Sequence, residues 1–220
     1  MLTIVLGAAA DITEVGAIVA KARWDLRNVV DACRRRDRRW ESVSILAHME
    51  MDAVSAEDVP LLGGERAALI GELARGVTPV ANPIWIPTLH GVVRFDGIDW
   101  QEVQMALQRR WPIERQLHIA KFRDNLTVEM NSDNVTNYSL KHHCINKFGH
   151  VNELWPVSWM VEYYGWLAEW TEFLRRTRIK IGMKRYRSSD SSNINRTTNE
   201  VGVVDEPMEY SIVLPTLYNW

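Results

Sequence analysis

The 220-residue sequence predicts an α+β fold in which helices pack on an antiparallel central sheet. Three observations carry that expectation. Residues 12–36 repeat apolar side chains at helical spacing, two long stretches alternate with a period of two, and strands and helices do not alternate regularly enough for a parallel sheet. With 46% apolar and 25% charged residues the chain can bury a core, which excludes the disordered, collagenous and disulfide-scaffold classes. The expected layout is a main domain over 1–150 and a C-terminal helical/β appendage over 151–220 packed on it.

The apolar run LTIVLGAAA (2–10) is broken at Asp11 and has no basic region before it, so it reads as a strand rather than a signal or a membrane span. Asp11 and Glu14 form a D-x-x-E cap. Behind it Val15, Ile18, Val19, Ala22, Leu26, Val29, Val30 and Cys33 mark one face of a helix reaching about residue 36. Its last turn and the residues just beyond it include Arg34, Arg35, Arg36, Arg38 and Arg39, more cations than the helix dipole needs. Ser42–Val54 reads as a strand with Leu46, His48, Glu50 and Asp52 on one face and Ile45, Ala47, Met49 and Met51 on the other. A short helix near Glu65–Arg75 and the loop GVTPVANP (76–83) then form an insertion.

Ile84–Phe95 is the second clear strand, with Thr88 and His90 on one face and Pro87 marking an edge or a bulge. Asp99 and Glu102 cap a helix over Trp100–Arg110. Gln116–Phe122 reads as a strand, Leu126–Met130 as a candidate short strand or its continuation, and Ser132 or Asp133 as the cap of a helix carrying NVTNYSLKHHCI. Trp155–Arg178 is an aromatic helix. Met160, Tyr164, Leu167, Thr171 and Leu174 form its expected core face, so that Tyr163, Trp166 and Trp170 call for a second partner. The segment RRTRIKIGMKRYR (175–187) has seven basic residues in thirteen with alternating isoleucines, compatible with a basic strand. Residues 188–199 read as a loop and 207–220 as a last strand.

Charge and cysteines narrow the partners. Lys and Arg number 26 against 28 Asp and Glu, so nucleic acid must be met by local patches. Cys33 and Cys144 form no framework or zinc motif, and the setting expected is reducing and cytoplasmic, with no membrane.

Two constellations bear chemistry. His48, Glu50 and Asp52 on one strand and His90 on another are imidazole and carboxylate donors that suit Mn²⁺ or Mg²⁺; equally they suit hydrogen bonding within a polar sheet. Tyr138, Lys141 and His142 share a helical face, where Lys141 could lower the cost of a phenolate at Tyr138; a core tyrosine beside a surface lysine fits the same spacing.

The order of these segments resembles the successive motifs of the HUH superfamily, the rolling-circle replication initiators of plasmids and phages with related relaxases and transposases. The matching stretches are Leu2–Val5, the Arg-rich helix, the strand with Glu50, Pro87-Thr88-Leu89-His90-Gly91-Val92-Val93 and Asn137-Tyr138-Ser139-Leu140-Lys141-His142, covering roughly 1–145. The resemblance implies an RRM/ferredoxin-like palm and a metal-dependent endonuclease. Its tyrosine attacks a DNA phosphate and leaves a 5′-phosphotyrosine and a free 3′-hydroxyl. His90 matches the second histidine of the family's pair, Tyr138 the nucleophile and Lys141 the lysine of Y-x-x-K. Thr88 stands in place of the first histidine, with His48 as the candidate substitute beside Glu50 and His90.

Three function classes are consistent with these residues: a nicking replication initiator, a noncatalytic DNA-binding relative of the same fold, and a small α+β interaction module. In the first two the partner is single-stranded or hairpin DNA, bound by Arg34, Arg35, Arg36, Arg175, Arg176, Arg178, Lys180, Lys184 and Arg185. No P-loop occurs, which leaves unwinding to a host helicase.

Overall fold

A computed structural model describes residues 1–77, 83–140, 144–148, 151–168 and 178–182, all within one compact unit, Met1–Lys184. The expectations for Lys141, His142, Trp170, Thr171, Leu174, Arg175, Arg176, Lys184, Arg185, the loop at 188–199 and the strand at 207–220 lie outside the described residues.

The structure is α+β. Its main sheet has five antiparallel strands: β1 (Leu2–Val5), β2 (Ser44–Val54), β3 (Ile84–Arg94), β4 (Leu117–Ile119) and β7 (Arg178–Ile181). Their order is β4-β1-β3-β2-β7, which puts β3 at the centre. A separate hairpin, β5 (Ile145–Phe148) with β6 (Val151–Leu154), was not anticipated. The helices are α1 (Ile12–Arg36), α2 (Gly64–Leu73), α3 (Trp100–Gln108), α4 (Val128–Leu140) and α5 (Val157–Ala168).

Alternation along β2 sorts the two faces of the sheet. Ile45, Ala47, Met49, Met51 and Ala53 are buried on one side with Leu2, Ile4, Leu89, Val93, Ile179 and Ile181 of the neighbouring strands. Onto this face α1 lays Val15, Val19, Ala22, Leu26 and Val30, and α3 adds Val103 and Leu107. Asp11 starts α1 by accepting the Thr13 N–H at 2.8 Å, and Asp99 starts α3 by accepting that of Gln101 at 2.9 Å. A smaller cluster on the other face, Val54, Ile70, Ile84 and Ile86, seats α2 over one end of the sheet.

Pro87 lies on the central strand, so the edge expectation fails and the bulge expectation describes it. Val5 faces Thr88 and Ala9 faces Trp85, which leaves one extra residue on the β1 side. The Pro87 carbonyl accepts from Leu6 N–H at 2.9 Å, so its donorless nitrogen faces the segment beyond the last residue of β1, where the ladder is already broken.

Two further expectations are corrected. Leu126–Met130 is not a strand, and α4 begins at Val128 rather than after Ser132 or Asp133. Thr127 caps it through the Met130 N–H at 3.2 Å. Asn131 pins the preceding turn, its amide group donating to the carbonyls of Arg123, Leu126 and Thr127 and accepting from Arg123 N–H.

On α5 the buried side is turned from the expected one: of the expected core face Met160 and Leu167 do pack, partly buried, against the core, but Tyr164 does not lie at its centre. Trp159, Tyr163 and Trp166 are buried, whereas Tyr164 is 48% exposed. Trp85 of β3 supplies the partner: its ring meets Trp155 edge-on at 5.9 Å and stacks on Tyr163 at 6.4 Å. Tyr163 and Trp166 therefore need no other molecule.

The last strand ends on a required glycine. Ile179 and Ile181 point into the core and Arg178 and Lys180 outward. Gly182 has φ +71°, and a side chain there would strike the Val43 carbonyl and the Arg34 guanidinium.

Candidate functional site: a polar row across the central sheet

Residues opposite one another in an antiparallel ladder share a face, so the strand register builds the site directly. His118 of β4 faces Thr3 of β1, Thr3 faces His90 of β3, His90 faces His48 of β2, and His48 faces Arg178 of β7. One row of polar side chains thus crosses all five strands on the face opposite the main core. Glu50 and Thr88 face each other one step along, and Lys180 faces Leu46 on the other side of the row.

The centre of this row is largely buried. Glu50 and Thr88 are buried, and the His90 side chain is 16% exposed. His90 Nε2 lies 2.9 Å from a Glu50 carboxylate oxygen, and its Nδ1 lies 3.2 Å from the Thr3 hydroxyl. When Nε2–H donates to Glu50, the Thr3 hydroxyl donates to Nδ1. When Nε2 is freed to bind a cation, Nδ1–H donates to the same hydroxyl, as a supported metal-binding imidazole requires. Thr3 serves both tautomers.

His48 behaves differently. Its Nδ1 is buried without a hydrogen-bond partner. Burial, followed by the charges of Arg178 and Lys180, lowers its pKa and keeps the ring neutral. Asp52, the other acid on this face, pairs with Arg66 of α2 at 3.0 Å. Among the described residues no group of three or more His, Cys, Asp or Glu side chains is placed to hold a metal ion. Of the expected set His48, Glu50 and His90, the two that meet are Glu50 and His90.

Helix α4, which carries Tyr138, packs against β3 and β2.

The expected DNA-binding cations divide. Arg178 and Lys180 project from the row's own face and are exposed. Arg35 and Arg36 are exposed at the end of α1, on the helical side of the sheet. Arg34 is spent internally: it donates to the carbonyls of Trp40 at 3.2 Å and Val43 at 2.8 Å and pairs with Asp31 at 3.3 Å. It closes the connection from α1 to β2. Sequence reasoning missed Thr3 and His118. No local pattern reveals them, because their place is set by the pairing of strands remote in sequence.

Among the described residues no helix is long and apolar enough to cross a membrane. No family model, no curated protein and no solved structure matches this chain.

Proposed function

We propose that this protein is a DNA-nicking replication initiator of the HUH type, built on an RRM-like palm, with Tyr138 as nucleophile. The observation that carries the reading is the packing of the Tyr138-bearing helix on β3 and β2, the strands whose polar face holds His90 and Glu50. In the reaction the Tyr138 oxygen bonds to phosphorus and the bond from phosphorus to the 3′ oxygen breaks. The phenol loses a proton and the departing oxygen gains one, giving a 5′-phosphotyrosine and a 3′-hydroxyl.

The chain's own groups prepare the substrate. Arg178 and Lys180 attract the DNA backbone to the edge of the row. Glu50 holds His90 in orientation. Glu50 and His90 are two donors, a number that suits Mg²⁺ or Mn²⁺ bound with water and a substrate phosphate oxygen. A cation held there would supply Lewis-acid polarisation of that phosphate.

A second reading is favoured by Thr88. It is buried opposite Glu50 where the family's pair has its first histidine, and a hydroxyl is the weaker donor to a divalent ion. A protein so altered binds DNA without cutting it.

One assay separates the two. Labelled single-stranded and hairpin oligonucleotides are incubated with Mn²⁺ and either wild type or Tyr138→Phe. A denaturant-resistant protein–DNA adduct with wild type alone supports nicking. Salt-sensitive binding with no adduct supports the noncatalytic reading. Absence of binding removes both.

A further inference from the structure

We propose that the groove between α1 and α3, on the side of the sheet away from the polar row, is a second nucleic-acid contact that grips the backbone of a duplex segment. The groove has a volume of about 320 Å³, an apolar floor that includes Val29, Ala32 and Ala106, and a rim of Arg36, Arg109 and Arg110.

Charge identifies the occupant's sign. Both helices end at this groove, and their C-terminal dipoles together contribute about one negative charge. Three guanidinium groups outweigh that. Arg36 and Arg109 are exposed and make no ion pair within the described residues. Arg110 faces Oδ1 of the buried Asp25 at 3.9 Å, the outer limit of an ion pair, while Lys21 holds Oδ2 of the same carboxylate at 2.5 Å, so this trio is itself net positive. Arg34, half a turn away on α1, is by contrast satisfied by Asp31 and two carbonyls. The groove therefore keeps a net positive rim over an apolar floor.

The lining identifies the form of the polyanion. Proteins that hold single strands stack bases on aromatic rings, and no aromatic side chain among the described residues lines this groove. A duplex keeps the faces of its bases stacked inside and presents sugars and phosphates along its backbone, which match a floor of small aliphatic groups and a rim of guanidiniums. From Asn28 to Arg36 the groove follows two turns of α1, roughly 12 Å at 1.5 Å per residue, enough for a short run of one backbone. The inference rests on the nucleic-acid reading proposed for the polar row. It adds that stem and single strand are held on opposite sides of the sheet.

The test uses the full chain with a fluorescent blunt duplex and a fluorescent single strand, titrated from 0.1 to 1 M salt. Each lost phosphate contact removes about 0.9 from the slope of log affinity against log salt. Arg36→Ala with Arg109→Ala is expected to lower the duplex slope by about 1.8, so that at 0.1 M the duplex affinity falls about sixtyfold more than at 1 M. Arg36→Lys with Arg109→Lys restores the slope. Arg178→Ala with Lys180→Ala is expected to weaken single-strand binding and spare the duplex. Duplex must also slow modification of Cys33, the half-buried thiol of the groove. An unchanged duplex slope with Cys33 unprotected overturns the proposal. Loss of single-strand binding and of adduct formation, with the duplex slope still answering to Arg36 and Arg109, overturns the nicking reading and leaves the groove standing.

Discussion

Removing His90 tests the centre of the polar row. In His90→Ala the Glu50 carboxylate, 8% exposed, loses its partner at 2.9 Å, and the Thr3 hydroxyl loses the ring nitrogen at 3.2 Å. Deleting one member of a buried pair costs about 3–5 kcal/mol. Water reaching the remaining exposed part of the site reduces that to about 2–3 kcal/mol, within the range for a buried acceptor left unmade. For a chain of this size each kcal/mol is worth about 2–4 °C in Tm, so a fall of about 4–12 °C is expected. Glu50→Gln should cost less, because the amide oxygen still accepts from Nε2–H. Thermal and urea unfolding of wild type, His90→Ala, Glu50→Ala and the double variant close a cycle whose coupling is expected at about 1–2 kcal/mol in magnitude. Effects that add to within about 0.5 kcal/mol would show that the two side chains do not act together and would refute the reasoning.

Three other perturbations probe separate parts of the account. Trp85→Ala, which removes the ring that stacks on Tyr163, should cost about 3–5 kcal/mol by urea unfolding, whereas Tyr164→Ala on the exposed face of α5 should change stability by less than about 1 kcal/mol; similar losses would restore the opposite face as the buried one. His48 has a folded pKa below its ordinary 6.5, so the folded state binds its proton less readily than the unfolded chain. The stability it contributes is present above about pH 6.5 and lost as pH falls from there toward the folded value; His48→Asn should flatten that part of the stability profile, and an unchanged slope would contradict the assignment. Gly182→Ala must place a side chain against the Val43 carbonyl at positive φ, and a loss of about 1–3 kcal/mol is expected, with no loss showing that the end of β7 relaxes freely.

The legible parts of the fold were those with strict periodicity. Along β2 the apolar residues fall on alternate positions, so the sequence alone separated Glu50 and His48 from the core face, and the register with β3 then set His48 opposite His90. On α5 the same method misassigned the buried side. Trp159, Met160, Val161, Tyr163, Tyr164 and Trp166 put apolar surface around the whole helix, and the choice of side was made by Trp85 on a distant strand. The start of α4 was hidden because Asn131 fixes it through carbonyls up to eight residues back, while Ser132 and Asp133 mimic a cap. The β5–β6 hairpin does carry a signal, the pair Gly149-His150 between its strands, but one glycine beside a histidine is a weaker turn mark than Asn-Gly or Asp-Gly. The site was half legible for the same reason as the fold. Glu50 and His90 announce themselves by residue type, but Thr3 acquires its place at Nδ1 only through the pairing of β1 with β3.

In the proposed reaction Tyr138 and the Glu50–His90 pair serve one phosphodiester. Trapping the protein on a labelled oligonucleotide, digesting both and reading the attached residue by mass spectrometry tests it most directly. The account requires a nucleotide remnant on Tyr138 in wild type and its disappearance in both His90→Ala and Glu50→Ala. A remnant on any other tyrosine, or one on Tyr138 that persists undiminished without His90 and Glu50, contradicts it.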